Sequence, residues 1–411
     1  MTVLIDPFTV SPAITVVAGV DTHAETHHVS VLDAATGAVL GDRQVTASDD
    51  GYRQLLEFVI SFGDVVRIGV EGTSSYGAGL ARYLRGVGIE VAEVIRPKRA
   101  VRRRGKSDPI DALAAARQVL AGEVLPIPKD GDGLVEQVRV LLAVRRSAVK
   151  ARTALLRQVK SLLVTAPEPV RTRWSSTGGT QDLMGALAAT RPEPAVASVR
   201  AATGQALRHL ARRYQHLAAE IDELEQDLAA LVDAANPALR AAFGIGTVTA
   251  AQLLVTAGDN PERLRSEAAF AALCGTAPIP ASSGKTNRHR LNRGGDRQAN
   301  AALHQIALVR MTTDPGTGLY AARRRAEGKT SREIMRCLKR AIARQVWHLL
   351  VHPDPVPDAR QFRAARHQLR LTLTDIATRL GTCPARISEL ERGIRPNAQL
   401  ATAYQQLLAT A

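Results

Sequence analysis

Four acidic residues in the first third of the chain are the strongest candidates for chemistry. Asp21 and Glu71 each follow an apolar, β-branched run that predicts a buried strand ending at the edge of a sheet. Asp108 and Asp111 lie three residues apart at a predicted helix start, so they share one face of that helix. Carboxylates gathered in this way repel one another unless cations bind, and oxygen ligands suit Mg²⁺ or Mn²⁺. The set predicts a magnesium site, although Asp108 taken alone is better explained as a helix cap.

The composition indicates a polyanionic partner. The 411 residues suffice for about two to four domains, and the formal net charge is +15. Aromatic residues make up only 3% of the chain, so phosphate contacts rather than base stacking should dominate binding. The three cysteines are scattered and form neither a zinc nor a disulfide pattern. No membrane-spanning run or signal pattern is present, so we expect a cytoplasmic protein without membrane contact.

Residues 13–125 alternate predicted strands and helices. The strand before Asp21 is followed by short extended segments at 28–33, 37–40 and 43–45, which predict an antiparallel meander. The remaining predicted elements are a helix at 51–61, the strand before Glu71, a helix at 77–85, a strand at 90–95 and the Asp108 helix. A meander followed by strand–helix alternation is typical of an α/β, ribonuclease-H-like domain.

Residues 126–235 are predicted to be helical. Apolar residues recur every seventh position from Val135 to Leu163, and the Pro/Gly/Ser-rich stretch 166–194 predicts a loop. A second helix carries a seam with alternating spacings of three and four: Leu207, Leu210, Tyr214, Leu217, Ile221, Leu224, Leu228 and Leu231. The seam is compatible with a hairpin against the first helix or with an intermolecular coiled coil.

Residues 236–350 form a third, helical region with two candidate phosphate-binding segments. Gly244 and Gly246 lie between two predicted helices and resemble a helix-hairpin-helix turn, in which backbone N–H groups approach a phosphate. A serine–glycine segment at 282–284 is followed by a cluster of basic residues, which are Lys285, Arg288, Arg290 and Arg293. The later helices of this region are also rich in arginine and lysine.

A second basic segment comes directly before Asp108 and contains no acid. Its candidate nucleic-acid-binding residues are Arg99, Arg102, Arg103, Arg104 and Lys106. A solvated loop is the alternative interpretation, but the position of this segment beside the predicted metal site favours binding of nucleic acid.

Residues 361–411 resemble a helix-turn-helix module of the Cro/C1 repressor class. Helices are predicted at 373–380 and 384–391 on either side of a Gly-Thr turn, and Arg386 would face a major groove. A compact helical dimerisation tail is the alternative.

The chain from about residue 15 to 350 resembles the DEDD class of insertion-sequence transposases, which are related to the Piv-type DNA invertases. The motifs that carry the resemblance are segments 19–21, 70–73, 106–112, 244–246 and 282–285. The resemblance implies a RuvC-like nuclease domain, a coiled-coil insertion and a transposase domain that supplies a catalytic serine. Some members are guided by a structured non-coding RNA. The helix-turn-helix tail departs from the common plan of the family.

The resemblance also assigns the nucleophile to Ser283, immediately before Gly284, with Ser282 as the close rival. From the residues alone a flexible loop that bonds its own backbone is the better interpretation. The serine is far in sequence from the acids, so we expect a composite site, closed by domain docking or by a neighbouring protomer. A phosphoserine would conserve bond energy and allow rejoining without ATP.

Three functions remain open from the sequence. The first is a DNA transposase or site-specific recombinase that uses Mg²⁺, a serine and possible RNA guidance, acting as a homodimer or homotetramer. The second is a RuvC-like junction nuclease that hydrolyses DNA with water and metal ions. The third is a non-catalytic DNA-binding regulator built on the tail.

Overall fold

A computed structural model describes residues 14–94, 107–122, 125–175, 177–282, 284, 289–290 and 292–410. The chain divides into two compact units. The first comprises the chain up to Gly133 together with Gly258–Arg263, and the second comprises Leu134–Ala257 and the chain from Leu264 onward.

The first unit contains a five-stranded mixed sheet with the strand order β3-β2-β1-β4-β5. The first three strands pair antiparallel, whereas β4 and β5 run parallel to β1. Their bounds are β1 Thr15–Thr22, β2 Thr26–Asp33, β3 Val39–Thr46, β4 Asp64–Glu71 and β5 Val91–Val94. The mixed α/β prediction for this region is therefore confirmed.

The meander differs from the sequence prediction at its outer strand. Residues 39–40 and 43–45 are parts of one strand, because pairing with β2 continues through Gly41 and Asp42. Gly41 is not a turn residue here: a Cβ atom at this position would lie 2.9 Å from the Phe62 ring. This glycine permits close packing rather than a reversal of the chain.

Helices cover both faces of the sheet. Helices α1 (Asp49–Ile60) and α2 (Ala78–Gly86) pack on one face, where Val16, Ala18 and Val20 are buried. Helix α3 (Asp108–Leu120) packs on the opposite face, together with Val17. Side chains alternate between the faces of a strand, so residues 17, 19 and 21 of β1 all lie on the α3 face.

The second unit begins with two long helices that pack against each other. Helix α4 (Leu134–Thr165) and helix α7 (Val199–Ala235) run antiparallel, since Leu142 shares a core with Leu228 while Val159 shares one with Leu207. Of the two arrangements that the seam allowed, the intramolecular hairpin is present. Whether α7 also joins two protomers stays a prediction.

The predicted loop at 166–194 is wrong in part. It contains α5 (Glu168–Ser175) and α6 (Thr180–Ala189). Met184 and Leu187 are buried against α7, and this packing outweighs the low helix propensity of the surrounding proline and glycine residues.

The remaining part of the second unit is helical around one large core. Its helices are α8 Pro237–Ala241, α9 Thr247–Ala257, α10 Glu267–Leu273, α11 Arg297–Thr313, α12 Pro315–Ala326 and α13 Ser331–Val351. A short two-stranded ribbon, β6 (Ile279–Pro280) and β7 (His289–Arg290), lies between α10 and α11 in the chain.

The tail has a small core of its own. It consists of α14 Phe362–Gln368, α15 Leu373–Arg379, α16 Pro384–Glu391 and α17 Ala398–Thr410. The helices predicted at 373–380 and 384–391 are present, and Gly381 takes a positive φ of 63° in the turn between them. None of the described helices combines the length and hydropathy needed to cross a membrane.

Candidate active site

Asp21 and Glu71 lie at the carboxyl ends of neighbouring parallel strands. Val20 of β1 is in register with Val70 of β4, so the two acids follow paired positions. The hydroxyl of Thr22 donates to the carbonyl oxygen of Glu71 at 2.9 Å and joins the two strand ends. Because ligand sites of parallel sheets form at carboxyl ends of strands, this edge is suited to chemistry.

Helix α3 brings a third acid to this edge. It begins at Asp108 after an extended Ser107, and Pro109 occupies its first turn. Ala112 and Ala115 face the sheet, and a Cβ atom at Gly19 would lie 2.6 Å from the carbonyl oxygen of Ala112. The missing side chain at Gly19 thus allows α3 to approach β1 closely, two residues before Asp21.

His23 joins Asp21 to Asp108. Its Nε2 atom lies 3.3 Å from Oδ2 of Asp21 and 3.2 Å from Oδ1 of Asp108. Asp21 is 1% exposed, whereas side chains of His23 and Asp108 are 37% and 42% exposed. One ligand atom from each of the three lies within 4.8 Å of the others, which makes them a possible metal-binding group within the described chain.

The other two predicted acids lie outside that group of three. Glu71 is half-buried at the end of β4, and Asp111 is buried one helical turn after Asp108. The structure thus links Asp108 to Asp21 through His23, a residue that is not among the candidates drawn from the sequence. Its spacing of two from Asp21 was a usable signal, since residues i and i+2 of an extended segment share a face.

A second histidine near the site has a structural environment. The imidazole of His27 is fully buried and stacks on Tyr52 with 5.6 Å between ring centroids. Burial lowers the pKa of His27, partly offset by its hydrogen bond with the carbonyl oxygen of Thr26. We therefore expect a neutral core residue at this position.

Many of the predicted nucleophile and phosphate-binding residues lie outside the described residues. They are Arg99, Arg102, Arg103, Arg104, Lys106, Ser283, Lys285 and Arg288. Of their neighbours, Ser282 and Gly284 are exposed, and Gly284 has a positive φ of 53°. Arg290 in β7 and Arg293 are exposed as well, which leaves both accessible to a ligand.

The predicted helix-hairpin-helix turn lies between α8 and α9. Gly244 has a φ of 79°, and Nε of Arg310 donates to the carbonyl oxygen of Phe243 at 2.9 Å. Gly246 is exposed at the start of α9, and a Cβ atom there would meet nothing within 4 Å. The turn is present, and its contact with phosphate stays a prediction.

Arg386 in the tail already has partners within the chain. Its Nη1 donates to the carbonyl oxygen of Arg395 at 2.6 Å and lies 3.5 Å from Oε2 of Glu389. Burial lowers its pKa. A contact with a base would require this side chain to leave the carbonyl group.

Two transposase family models match the chain. A DEDD model of the IS110 type matches residues 18–166, which include the four acids, and a model of the IS116/IS110/IS902 family matches residues 236–322. Together they include more than half of the chain. These matches identify a DNA transposase, an enzyme. The chain belongs to the IS116/IS110/IS902 family of transposases.

Individual relatives agree. The chain is 26% identical over 410 residues to the protein assigned as the mini-circle transposase for IS117 of Streptomyces coelicolor, covering 85% of this chain and 97% of that protein. It is 38% identical over 120 residues to a 43.6 kDa protein of insertion element IS110 of the same species, covering 28% of this chain and 29% of that protein. A protein assigned as a family 20 transposase in Pseudomonas aeruginosa is 33% identical to the chain over 164 residues, covering 39% of this chain and 46% of that protein.

Proposed function

We propose that the chain cuts and rejoins DNA during transposition of an insertion sequence, using a divalent cation and a serine nucleophile. Its proposed catalytic residues are Asp21, Glu71, Asp108, Asp111 and Ser283. The observation that carries the proposal is the Asp21–His23–Asp108 group, which forms where the carboxyl end of β1 meets the start of α3.

The donors of this group fit Mg²⁺ or Mn²⁺. Two carboxylates and an imidazole can approach a common point, and imidazole is better tolerated by Mn²⁺ than by Mg²⁺. When bound, such a cation neutralises charge that develops on phosphate oxygens. Asp21 is held by the sheet and buried, so its carboxylate is positioned before the substrate arrives.

We propose that Ser283 cleaves the DNA strand by transesterification. A bond forms between Oγ of Ser283 and the scissile phosphorus as one P–O bond to a sugar breaks. The hydroxyl proton of the serine passes to the leaving sugar oxygen, so the products are a phosphoserine ester and a free sugar hydroxyl. The reverse step with another sugar hydroxyl rejoins the strand without ATP.

The finer classification is also a proposal. The antiparallel meander followed by parallel β4 and β5 supports a ribonuclease-H-like, RuvC-related domain of the DEDD and Piv type. We further propose a homodimer or homotetramer, possible guidance by a non-coding RNA, DNA contact by a Cro/C1-type tail and action in the cytoplasm.

A trapped protein–DNA adduct tests the serine chemistry. The full-length protein, incubated with DNA of the element ends and Mg²⁺, should give a denaturant-resistant adduct with phosphate on Ser283. Ser283→Ala should remove the adduct and Ser282→Ala should not. Metal-dependent cleavage without any adduct would favour the RuvC-like junction nuclease that acts by water hydrolysis.

A further inference from the structure

The second unit contains a large basic cleft. It has a volume of about 820 Å³ and lies between α12, α13, β7 and the segment 275–278. Among the described residues that line it, seven are arginine or lysine and one, Glu333, is an acid. The carboxylate of Glu333 already has hydrogen-bond partners, because it accepts from the backbone N–H and the hydroxyl group of Thr330 at the start of α13. The cleft therefore has a large excess of positive charge.

Lys339 is buried where it lines this cleft. The residue is only 8% exposed, and its Nζ atom donates to Oδ1 of Asn300 at 2.8 Å. The amide nitrogen of Asn300 is itself fixed by the carbonyl oxygens of Cys274 and Gly275. Burial lowers the pKa of Lys339, and no carboxylate of the described chain pairs with it. An ammonium group has three donors, and one neutral acceptor does not balance its charge.

Two arginines of the cleft carry further buried donors. The Nε atom of Arg324 and the Nη1 atom of Arg340 have no hydrogen-bond partner within the described chain. Arg340 shares the carboxylate of Glu267 with Arg344, at 3.1 and 2.8 Å, so one negative charge faces two positive charges. Buried N–H donors without acceptors are costly, and an anionic ligand would satisfy them.

We propose that this cleft binds the sugar-phosphate backbone of a DNA strand and that Lys339 contacts one of its phosphates. No phenylalanine, tyrosine or tryptophan is among the described residues that line it, which favours backbone contacts over base stacking. The inference rests on the proposed function, because the proposed nucleophile Ser283 is close in sequence to the cleft. Arg290 of β7 lines the cleft, and Ser283 lies between β6 and β7 in the sequence.

A matched pair of variants on α13 tests the cleft. Arg336 lines it, whereas the exposed Arg332 of the same helix does not, and each change to glutamine removes one charge. Fluorescence anisotropy with full-length protein and labelled single-stranded DNA, over a salt series with chelator, measures affinity. Arg336→Gln should weaken binding roughly tenfold and reduce the salt slope by about 0.7. Arg332→Gln should change both much less. Equal effects of the two changes would overturn the proposal.

Lys339→Met tests the buried ammonium at nearly constant volume. If circular dichroism shows a folded protein, its DNA affinity should fall at least as far as that of Arg336→Gln. Retained affinity in the folded variant contradicts the role of Lys339. If this variant does not fold, the Arg336 and Arg332 pair still decides whether the cleft binds DNA.

The experiment separates the cleft from the proposed chemistry. A difference between the α13 variants that appears only with RNA of the same sequence overturns the assignment to DNA. Unchanged DNA binding by Arg336→Gln in a protein that forms the serine adduct rejects the cleft alone. If the wild-type protein never forms an adduct but Arg336→Gln still weakens its DNA binding, the serine chemistry is rejected and the cleft proposal stands.

Discussion

At the scale of single residues, the candidate site depends on where Asp21 points. It follows Gly19 by two positions on the face of β1 that α3 covers, so the same alternation that buries the strand aims this carboxylate at Asp108. His23 extends the pattern by another two residues and lies between the two acids. Three side chains are thus assembled by one strand end and one helix start.

Removal of the Asp21 charge should abolish strand cleavage. We expect Asp21→Asn to reduce cleavage at least about 10³-fold, because several kcal/mol of charge stabilisation are lost. We also expect Mn²⁺ to raise the melting temperature of the wild-type protein but not that of this variant, whereas DNA affinity should persist. Glu25 is an exposed acid nearby, and Glu25→Gln is the matched control because it also removes one negative charge. Full cleavage by Asp21→Asn in Mg²⁺ would rule out the assignment.

At the scale of elements, the contact between α3 and β1 sets the site. A Cβ atom at Gly19 would lie 2.0 Å from the nitrogen of Ala116 and 2.5 Å from the carbonyl carbon of Ala115. Both are backbone atoms of a helix, so α3 itself would have to move. We expect Gly19→Ala to destabilise the first unit by about 3 kcal/mol or more and to displace Asp108. Chemical denaturation and cleavage assays measure the two effects.

Gly86 provides the control for that change. It ends α2 in the same unit, and a Cβ atom there would meet nothing within 4 Å. Gly86→Ala should be neutral or stabilise by up to about 1 kcal/mol through helix propensity. Equal stability of the Gly19 and Gly86 variants would contradict the packing account.

A buried ion pair ties the tail helices together. Glu391 accepts hydrogen bonds from Arg366 at 2.7 and 3.0 Å and from the hydroxyl of Tyr404 at 2.8 Å. Burial by itself raises the pKa of Glu391, but these hydrogen bonds outweigh it and the net pKa is lowered. A lowered pKa means that the pair contributes its full stability above the ordinary glutamate value of about 4.3. That contribution is lost as the pH falls through the folded pKa.

Hydrogen exchange of α14 and α16 against pH measures this effect. Protection should fall below about pH 4 in the wild-type protein. Glu391→Gln should remove most of this dependence and should lower protection at neutral pH, since it leaves the buried Arg366 without its counter-charge. A wild-type profile that is flat from pH 6 to the acid limit of folding would contradict the lowered pKa.

The elements were more predictable from the sequence than their contacts. Asp21 and Glu71 follow β-branched runs, and Asp108 is followed by a proline that is typical of a first helical turn. Local patterns therefore place all three acids at the ends of elements. The role of Gly19 depends on a helix almost 100 positions later in the chain, and local patterns carry no such information. The helices at 168–175 and 180–189 were missed for the same reason, because packing on α7 rather than composition stabilises them.

At the scale of the whole molecule, exchange between two DNA molecules requires more than one active site. The α7 seam packs on α4, yet Leu217 still lines an apolar groove with Ala151, Ala154 and Leu155. We expect a second copy of the chain to cover it. Light scattering should show a dimer or tetramer that Leu217→Glu reduces to smaller species. Gln215→Glu, an exposed position on α7, is the control. A monomer with and without nucleic acid would exclude this assembly.

The last prediction concerns the tail as a module. Its core is separate from that of the other helices, although Nη2 of Arg240 donates to the carbonyl oxygen of Gly393 at 2.7 Å. Deletion of residues 361–411 should therefore leave strand cleavage intact and change DNA affinity or the choice of site. Arg386→Gln in the full chain should reproduce the change if this arginine leaves Arg395 to contact DNA. Unchanged affinity and site choice after deletion would assign the tail to a role other than DNA binding.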